Sequence, residues 1–142
     1  MEQFVVFITN HWMLASLLAV ALLAFIVNEL ISNRGSNAIT PEHAVQLMNH
    51  QDAVVFDSRS ETAFLEGHIL GAQNVSASSL EKKMGALQKY LKQPVIIVGA
   101  GGADDGVAKL QTALQQKGFT QIWVLSGGIQ GWKSAGMPMV KS

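Results

Sequence analysis

Residues 95–106 of this chain read VIIVGAGGADDG. The first four, Val95 to Val98, form an apolar β-branched run, which is typical of a strand covered on both faces of a parallel sheet. A glycine-rich loop follows over Gly99 to Gly106. The segment from Val107 to Lys117 then has apolar residues at helical spacing, and Gly118 ends it. Strand, loop and helix in this order indicate an α/β domain.

Further strands and helices of the same kind flank this unit on both sides. Thr40 before a proline is a helix-start signal, and it predicts a first helix over Pro41–His50. Short apolar runs predict strands over residues 53–56 and 122–125, and helical spacing predicts helices over 62–66 and 79–92. The alternation predicts a mainly parallel sheet flanked by helices.

The N-terminal part of the chain is far more apolar than the rest. From Gln3 to Asn28 there is no Asp, Glu, Lys or Arg, and Trp12 to Val27 contains one polar side chain, Ser16. A bilayer core of ~30 Å is crossed by about 20 helical residues, so this stretch predicts one N-terminal transmembrane helix. The chain is therefore divided into an anchor with its flanks (1–34), a linker (35–38) and a domain (39–142).

The apolar stretch has two alternative interpretations. A cleaved signal peptide would carry a basic segment before it, whereas this chain has Glu2 there. A buried core helix is disfavoured because the run is apolar on every face and a domain this small has too little core to surround it. We favour an uncleaved anchor. Arg34 is the only basic side chain near either end of the span, and the positive-inside rule then places the following domain in the cytoplasm.

Composition argues against several classes of function. Ten basic and ten acidic side chains cancel, which argues against a nucleic-acid partner. The absence of cysteine removes disulfides, thiolate metal sites and cysteine nucleophiles together. His43 and His50 lie too far apart on the first predicted helix for an i, i+4 metal pair, and no second ligand cluster accompanies them. We predict no metal and no cofactor.

Four segments of the chain follow one family pattern in the right order. They are Asp57-Ser58-Arg59, Phe64-x-x-Gly67-His68-Ile69-x-Gly71-Ala72-x-Asn74, the 95–98 strand with its glycine loop, and Leu125-x-Gly127-Gly128-x-x-x-Trp132-x-x-x-Gly136-x-Pro138. Together they resemble the rhodanese family from about Ile39 to the C-terminus. The resemblance implies a rhodanese-like α/β fold. The N-terminal anchor is similar to that of small bacterial members with one such helix, which implies a single-pass protein of the bacterial inner membrane.

Outside the loop, the motif residues are predicted to have structural roles. Asp57 and Arg59 are expected to form a carboxylate–guanidinium pair at the strand end, which is largely their role in the family, rather than to contact substrate. His68, which follows Gly67 in a predicted tight turn, is expected to be a hydrogen-bonded structural residue rather than a catalytic one. The others are predicted to shape the backbone or to pack a helix against the sheet: Gly127, Gly128 and Trp132.

Rhodaneses transfer a sulfane sulfur through a persulfide on a cysteine directly after the central strand, where backbone N–H groups hold the anion. The resemblance places Gly99 at that position, so no catalytic residue is predicted. Asp104 and Asp105 stand where many members carry a basic residue, in a loop that looks about two residues longer, and their charges disfavour an anionic substrate. The predicted degenerate loop comprises Gly99, Ala100, Gly101, Gly102, Ala103, Asp104, Asp105 and Gly106.

The leading functional prediction is a non-catalytic binding or scaffold module. Its N-terminal helix is predicted to contact the lipid bilayer and to hold the module at the membrane. Its predicted partner is an unknown protein, and a membrane-embedded protein is one candidate. The alternative is an accessory docking domain in persulfide transfer that uses a partner's cysteine. A third hypothesis is a nucleotide-binding loop. It is disfavoured because Asp104 replaces the third glycine of the dinucleotide fingerprint, and Leu125-Ser126 stands where a ribose-binding carboxylate is expected.

Overall fold

The computed structural model describes residues 1–33, 37–102 and 104–141, and within the N-terminal helix it describes side chains only up to Asn28. Arg34, half of the predicted linker (residues 35 and 36) and Ala103 therefore lie outside the described residues. The chain divides into two compact units, Met1–Ser36 and Asn37–Ser142, and each is described by itself. Ala38, the last residue of the predicted linker, belongs to a strand of the second unit.

The N-terminal unit contains two helices, α1 over Glu2–Asn10 and α2 over Trp12–Asn33. They are bent by 91° at a break on His11, whose backbone angles leave the helical range. The apolar stretch therefore forms a bent pair of helices, and the prediction that one of them spans a membrane stays a prediction. Thr9 and Asn10 are weak helix formers, and the Thr9 hydroxyl donates back to the carbonyls of its own helix, a contact that often bends helices.

The hydropathy of this unit meets the requirement for a membrane span only in part. Judged over the residues whose side chains are described, which end at Asn28, no single helix is both long enough and apolar enough to cross a bilayer. Taken together, α1 and the Trp12–Asn28 part of α2 pass by length and composition, as a bent pair.

The second unit is organised by one parallel sheet. Its strands are β1 (Ala38–Ile39), β2 (Val54–Asp57), β4 (Gln73–Asn74), β5 (Val95–Val98) and β6 (Ile122–Leu125), in the order β1-β6-β5-β2-β4. Two further strands, β3 (His68–Ile69) and β7 (Met139–Val140), form a small antiparallel pair. The prediction of a mainly parallel sheet is confirmed, and β5 lies in the middle of it with all four residues buried.

Five helices belong to this unit: α3 (Pro41–His50), α4 (Glu61–Glu66), α5 (Leu80–Leu87), α6 (Asp105–Gln116) and α7 (Gly128–Ser134). Helix α3 has its predicted bounds, and the Thr40 hydroxyl accepts from the His43 amide as its N-cap. The helix predicted over 79–92 is wrong at its C-terminal end. The α-helix stops at Leu87, and a 3₁₀ turn over Gln88–Tyr90 continues it, as is common where a helix ends.

Two hydrophobic cores cover the two faces of the sheet, because successive side chains of a strand point to opposite faces. Ile96 and Val98 join the core that contains Leu47 and Trp132. Val95 and Ile97 join the other core, whose buried members include Phe56, Leu80, Leu110 and Leu114. With both faces closed, the carboxyl edge of the sheet is the part of the fold where loops are left to form a site.

Candidate functional site: the loop after the central strand

Two loops start side by side at the carboxyl edge of the sheet. Asp57 at the end of β2 pairs with Val98 at the end of β5. The backbone N–H and the hydroxyl of Ser58 both donate to the Val98 carbonyl, at 2.9 and 3.2 Å. From this point β2 leads on to β4 on one side, and β5 leads to β6 on the other. This divergence is the switch point at which α/β sheets place their ligands.

The Asp104 carboxylate closes the loop that follows β5. Its Oδ1 accepts from the amides of Gly106, at 2.8 Å, and Val107, at 3.4 Å, so it is the N-cap of α6. Its Oδ2 accepts from the Ala100 amide at 3.1 Å. One side chain therefore bonds N–H groups at both ends of the loop. Its negative charge is also favourable at the N-terminus of α6.

Asp104 also takes the space beside Gly99. A Cβ atom added to Gly99 would lie 2.5 Å from Asp104 Oδ2 and 2.5 Å from Val107 Cγ2. Real Cβ contacts are essentially never that short. Any side chain at position 99, a cysteine included, would therefore require both the carboxylate and the valine side chain to move.

On the other side of the loop, the backbone at Gly128 packs equally closely against Gly99. Gly127 and Gly128 have φ values of 73° and 54°, a left-handed conformation that favours glycine. A Cβ on Gly128 would lie 2.4 Å from the Gly99 carbonyl oxygen, and the Ile129 amide donates to that oxygen at 2.8 Å. The cavity left between these walls has a volume of only about 80 Å³.

Asp57 and Arg59 form the predicted ion pair. Arg59 Nη2 lies 2.8 Å from Asp57 Oδ2, and Nε donates to both carboxylate oxygens. The same Nη2 donates to the Gly67 carbonyl at 2.7 Å, and the Asn74 amide donates to the carbonyls of both paired residues. The carboxylate is 1% exposed and the guanidinium 11%. The pair thus joins β2 to the turns around it.

His68 and Trp132 each bond a carbonyl. His68 Nδ1 lies 2.8 Å from the Phe64 carbonyl oxygen, and its buried ring stacks on the Phe64 ring at 3.9 Å. A carbonyl oxygen only accepts, so Nδ1 carries the proton in this contact. Trp132 is buried in α7, and its Nε1 donates to the Pro138 carbonyl at 2.9 Å. Both side chains are thus held by hydrogen bonds to the backbone, and their purely structural role stays a prediction.

A groove of about 600 Å³ opens beside the loops at the ends of β2 and β4. Hydroxyl groups and an amide form much of its wall, and the side chains of Arg59, Glu61, Phe64, Leu65 and Lys83 complete it. The uncharged polar residues that line it are Ser58, Ser60, Asn74, Ser76 and Ser79. The sequence did not predict this surface, because three of these residues, Ser60, Ser76 and Ser79, belong to no family motif.

Of the predicted loop residues, those from Gly99 to Gly102 and from Asp104 to Gly106 are brought together at the carboxyl edge. Asp105 is exposed at the first position of α6 and makes no side-chain hydrogen bond among the described residues, so the two aspartates differ in role. Within the described ranges, no group of three metal-ligating side chains occurs. The N-capping position of Asp104, ahead of a helical pattern, was the sequence signal for its contact with the loop.

The parallel sheet with its loop after the central strand defines an α/β domain of the sulfurtransferase type. The chain belongs to the rhodanese-like domain family, whose model matches residues 40–135. The uncharacterized protein YibN of Escherichia coli (strain K12) is 32% identical over 99% of both chains. The thiosulfate sulfurtransferase GlpE of Pseudomonas fluorescens is 34% identical and covers 68% of this chain and 84% of its own. A crystal structure of a full-length protein from Lactobacillus plantarum has the same fold, with a TM-score of 0.70 at 22% identity over 84% of this chain and 99% of that one.

Proposed function

We propose that this protein is a catalytically inactive rhodanese-like domain that acts as a binding or scaffold module at a membrane. The observation that carries the proposal is the Asp104 carboxylate. It fills the space that a side chain at Gly99 would need, and it accepts the hydrogen bonds of the loop N–H groups. Those groups are the ones that would hold an anionic sulfur.

Inactivity follows from the chemistry as well as from the space. Persulfide formation needs a thiolate nucleophile, and the chain contains no cysteine. No serine or threonine takes its place, since the loop side chains are only those of glycine, alanine and aspartate. The likeness to the thiosulfate sulfurtransferase GlpE therefore supports the fold and the position of the loop, while the residues at the loop argue against that reaction.

The binding role is supported by the groove beside the loop. Its wall combines hydroxyl groups, the charged side chains of Arg59, Glu61 and Lys83, and the apolar side chains of Phe64 and Leu65, of which Leu65 is 44% exposed. A mixed apolar and polar concave surface of this size suits a protein partner better than a small anion. The partner of the proposal is a protein, with a membrane-embedded protein as the first candidate.

The membrane location is supported by helix α2. Its 22 residues give a length of about 33 Å, close to the ~30 Å of a bilayer core. The likeness to YibN covers 99% of both chains and so includes this helix. Arg34 at its C-terminal side favours a single pass in the bacterial inner membrane with the rhodanese-like domain in the cytoplasm.

The proposal is tested by capture from detergent-solubilised membranes with the full chain as bait. Leu65→Glu places a charge in the groove and should abolish retention of the captured partner. Leu70→Glu is the matched control, because Leu70 is also exposed but does not line the groove. Equal retention by both variants would overturn the binding role of the groove. Retention only of a carrier loaded with persulfide would instead favour the accessory role in sulfur transfer.

A further inference from the structure

The bend of 91° between α1 and α2 determines how α1 is oriented relative to a bilayer that α2 crosses. This inference rests on the proposal that α2 is the membrane anchor. Nine residues give α1 a length of about 13 Å, less than half of a bilayer core, so it does not cross a bilayer alone. If α2 crosses the bilayer, a bend of 91° places α1 close to the plane of the membrane.

Helix α1 is two-sided in the way that such a position requires. Phe4, Phe7 and Ile8 follow the i, i+3, i+4 spacing and share one face. Glu2, Val6 and Thr9 lie on the opposite face, and Gln3 and Asn10 flank the apolar one. Within the unit the large apolar side chains of this helix are exposed, Phe4 at 71% and Phe7 at 61%, so the unit itself leaves this face uncovered.

The break between α1 and α2 contains residue types that are enriched at the boundary between lipid headgroups and acyl chains. Trp12 begins α2, and tryptophan is enriched at that depth because its ring is apolar and its N–H is polar. His11 stands at the break, and its ring contacts the Phe7 ring at 5.0 Å. The Thr9 hydroxyl is bonded to the carbonyls of Val5 and Val6, so it carries no unmet hydrogen-bond donor into an apolar layer.

We propose that α1 is an interfacial helix that lies in the bilayer surface with the Phe4, Phe7 and Ile8 face toward the acyl chains, while α2 crosses the same bilayer. The occupant of this apolar face is lipid. Helix α1 contains no lysine or arginine, so its seating depends on apolar area and not on anionic headgroups. It fixes the depth at which α2 enters the membrane.

Single-cysteine spin labels test this without background, because the chain has no cysteine. The full chain is reconstituted into phosphatidylcholine vesicles with one label at each position from Gln3 to Asn10 in turn. The depth of each label is measured from its accessibility to oxygen and to a nickel chelate. Labels at Phe4→Cys, Phe7→Cys and Ile8→Cys should lie deeper than those at Val6→Cys and Thr9→Cys, by about 5 to 10 Å. The depth should oscillate with the helical repeat.

A label at Ala19→Cys in α2 separates this inference from the anchor on which it rests. It should lie near the bilayer centre. A water-exposed label there would overturn the anchor and the interfacial helix together. A buried label there, with depths that change steadily from Gln3 to Asn10, would show that α1 continues the span. Water exposure at every α1 position would show that α1 leaves the bilayer. Either of these last two results overturns the interfacial helix alone.

Discussion

At the scale of single residues, Gly99 and Asp104 carry the proposal that this domain is not a sulfurtransferase. Glycine offers no nucleophile at this position, and the Asp104 carboxylate fills the space beside it. The carboxylate accepts from loop and helix amides, which are the donors that an anionic sulfur would use. The loop is therefore satisfied internally, and restoring one atom type does not restore the site.

We expect no thiosulfate:cyanide sulfurtransferase activity in the purified protein or in Gly99→Cys. The new side chain would overlap Asp104 and Val107, and overpacking of this kind costs about 1–3 kcal/mol of unfolding free energy. The nearby carboxylates would also raise the pKa of the new thiol and repel thiosulfate. Initial rates of thiocyanate formation and thermal unfolding of both proteins provide the measurement.

A double variant distinguishes two causes of the expected inactivity, the carboxylate that crowds the loop and the missing thiol. Adding Asp104→Ala to Gly99→Cys should raise the rate of thiol alkylation by about tenfold over the single variant, because a carboxylate next to the thiol disfavours the thiolate. Adding Asp105→Ala instead is the matched control and should change the rate little, since Asp105 is exposed. Turnover typical of the family in Gly99→Cys alone would refute the account of the loop.

Asp104 also stabilises the domain as a helix cap. Asp104→Ala should lower the free energy of unfolding by about 1 kcal/mol, because it removes the N-cap hydrogen bonds of α6. The effect of Asp105→Ala should be smaller, since that side chain acts only through the helix dipole. Urea denaturation of the two variants gives the comparison. An equal loss in both would mean that the carboxylate charge, and not the capping contact, is what matters.

At the scale of elements, the Asp57–Arg59 pair ties the end of β2 to the turn before β3. Arg59 reaches both the carboxylate and the Gly67 carbonyl, and the Asn74 amide bonds the backbone of the pair from β4. Two of the three guanidinium nitrogens, Nε and Nη2, are thus bonded to the protein. These bonds give the Asp57–Arg59 motif a structural role that does not depend on catalysis.

Arg59→Ala should be strongly destabilising, by about 3–5 kcal/mol, because it leaves the buried Asp57 carboxylate without its partner. Lys133→Ala removes an exposed cation near the same residues and should cost less than 0.5 kcal/mol, as is usual at surface positions. Arg59→Lys should recover only part of the loss, since lysine lacks the fork that bonds both acceptors. Chemical denaturation distinguishes these cases, and a mild effect of Arg59→Ala would show that Asp57 is solvated.

At the scale of the whole molecule, the proposed anchor affects the concentration at which the groove meets its partners. If α2 anchors the chain, the groove stays close to the bilayer and its effective concentration toward membrane proteins rises. The small side chains at Ala15, Ser16 and Ala19 on α2 would permit close packing with another helix. If every captured partner is retained after α2 is exchanged for an unrelated anchor, recognition belongs to the rhodanese-like domain alone.

The proposed orientation gives a direct prediction for intact cells. Protease added to spheroplasts should leave the rhodanese-like domain undigested, because Arg34 keeps the C-terminal side of α2 in the cytoplasm. Lysis of the spheroplasts should make the domain accessible, which is the control for its susceptibility. Digestion of the domain in intact spheroplasts would show that it lies on the periplasmic side and would contradict the proposed orientation.

Much of the fold could be predicted from local pattern. The bounds of α3, β5 and β6 follow from capping residues and β-branched runs, which act within a few residues of the chain. The end of α5 and the start of α6 were less well predicted. The packing of its last turn decides that α5 stops at Leu87. The capping contacts of Asp104 decide that α6 begins at Asp105.

The sequence by itself determined the family, the parallel α/β sheet and the absence of a thiol, because strand runs, motif order and composition are properties of the chain. Only the tertiary structure decided that Asp104 lies against Gly99, that Arg59 bonds both Asp57 and the Gly67 carbonyl, and that a groove opens beside β2 and β4. These facts depend on how the loops are folded at the edge of the sheet. The sheet register and the packing of α6 and α7 set the distances between these loops, and spacing along the chain does not encode them.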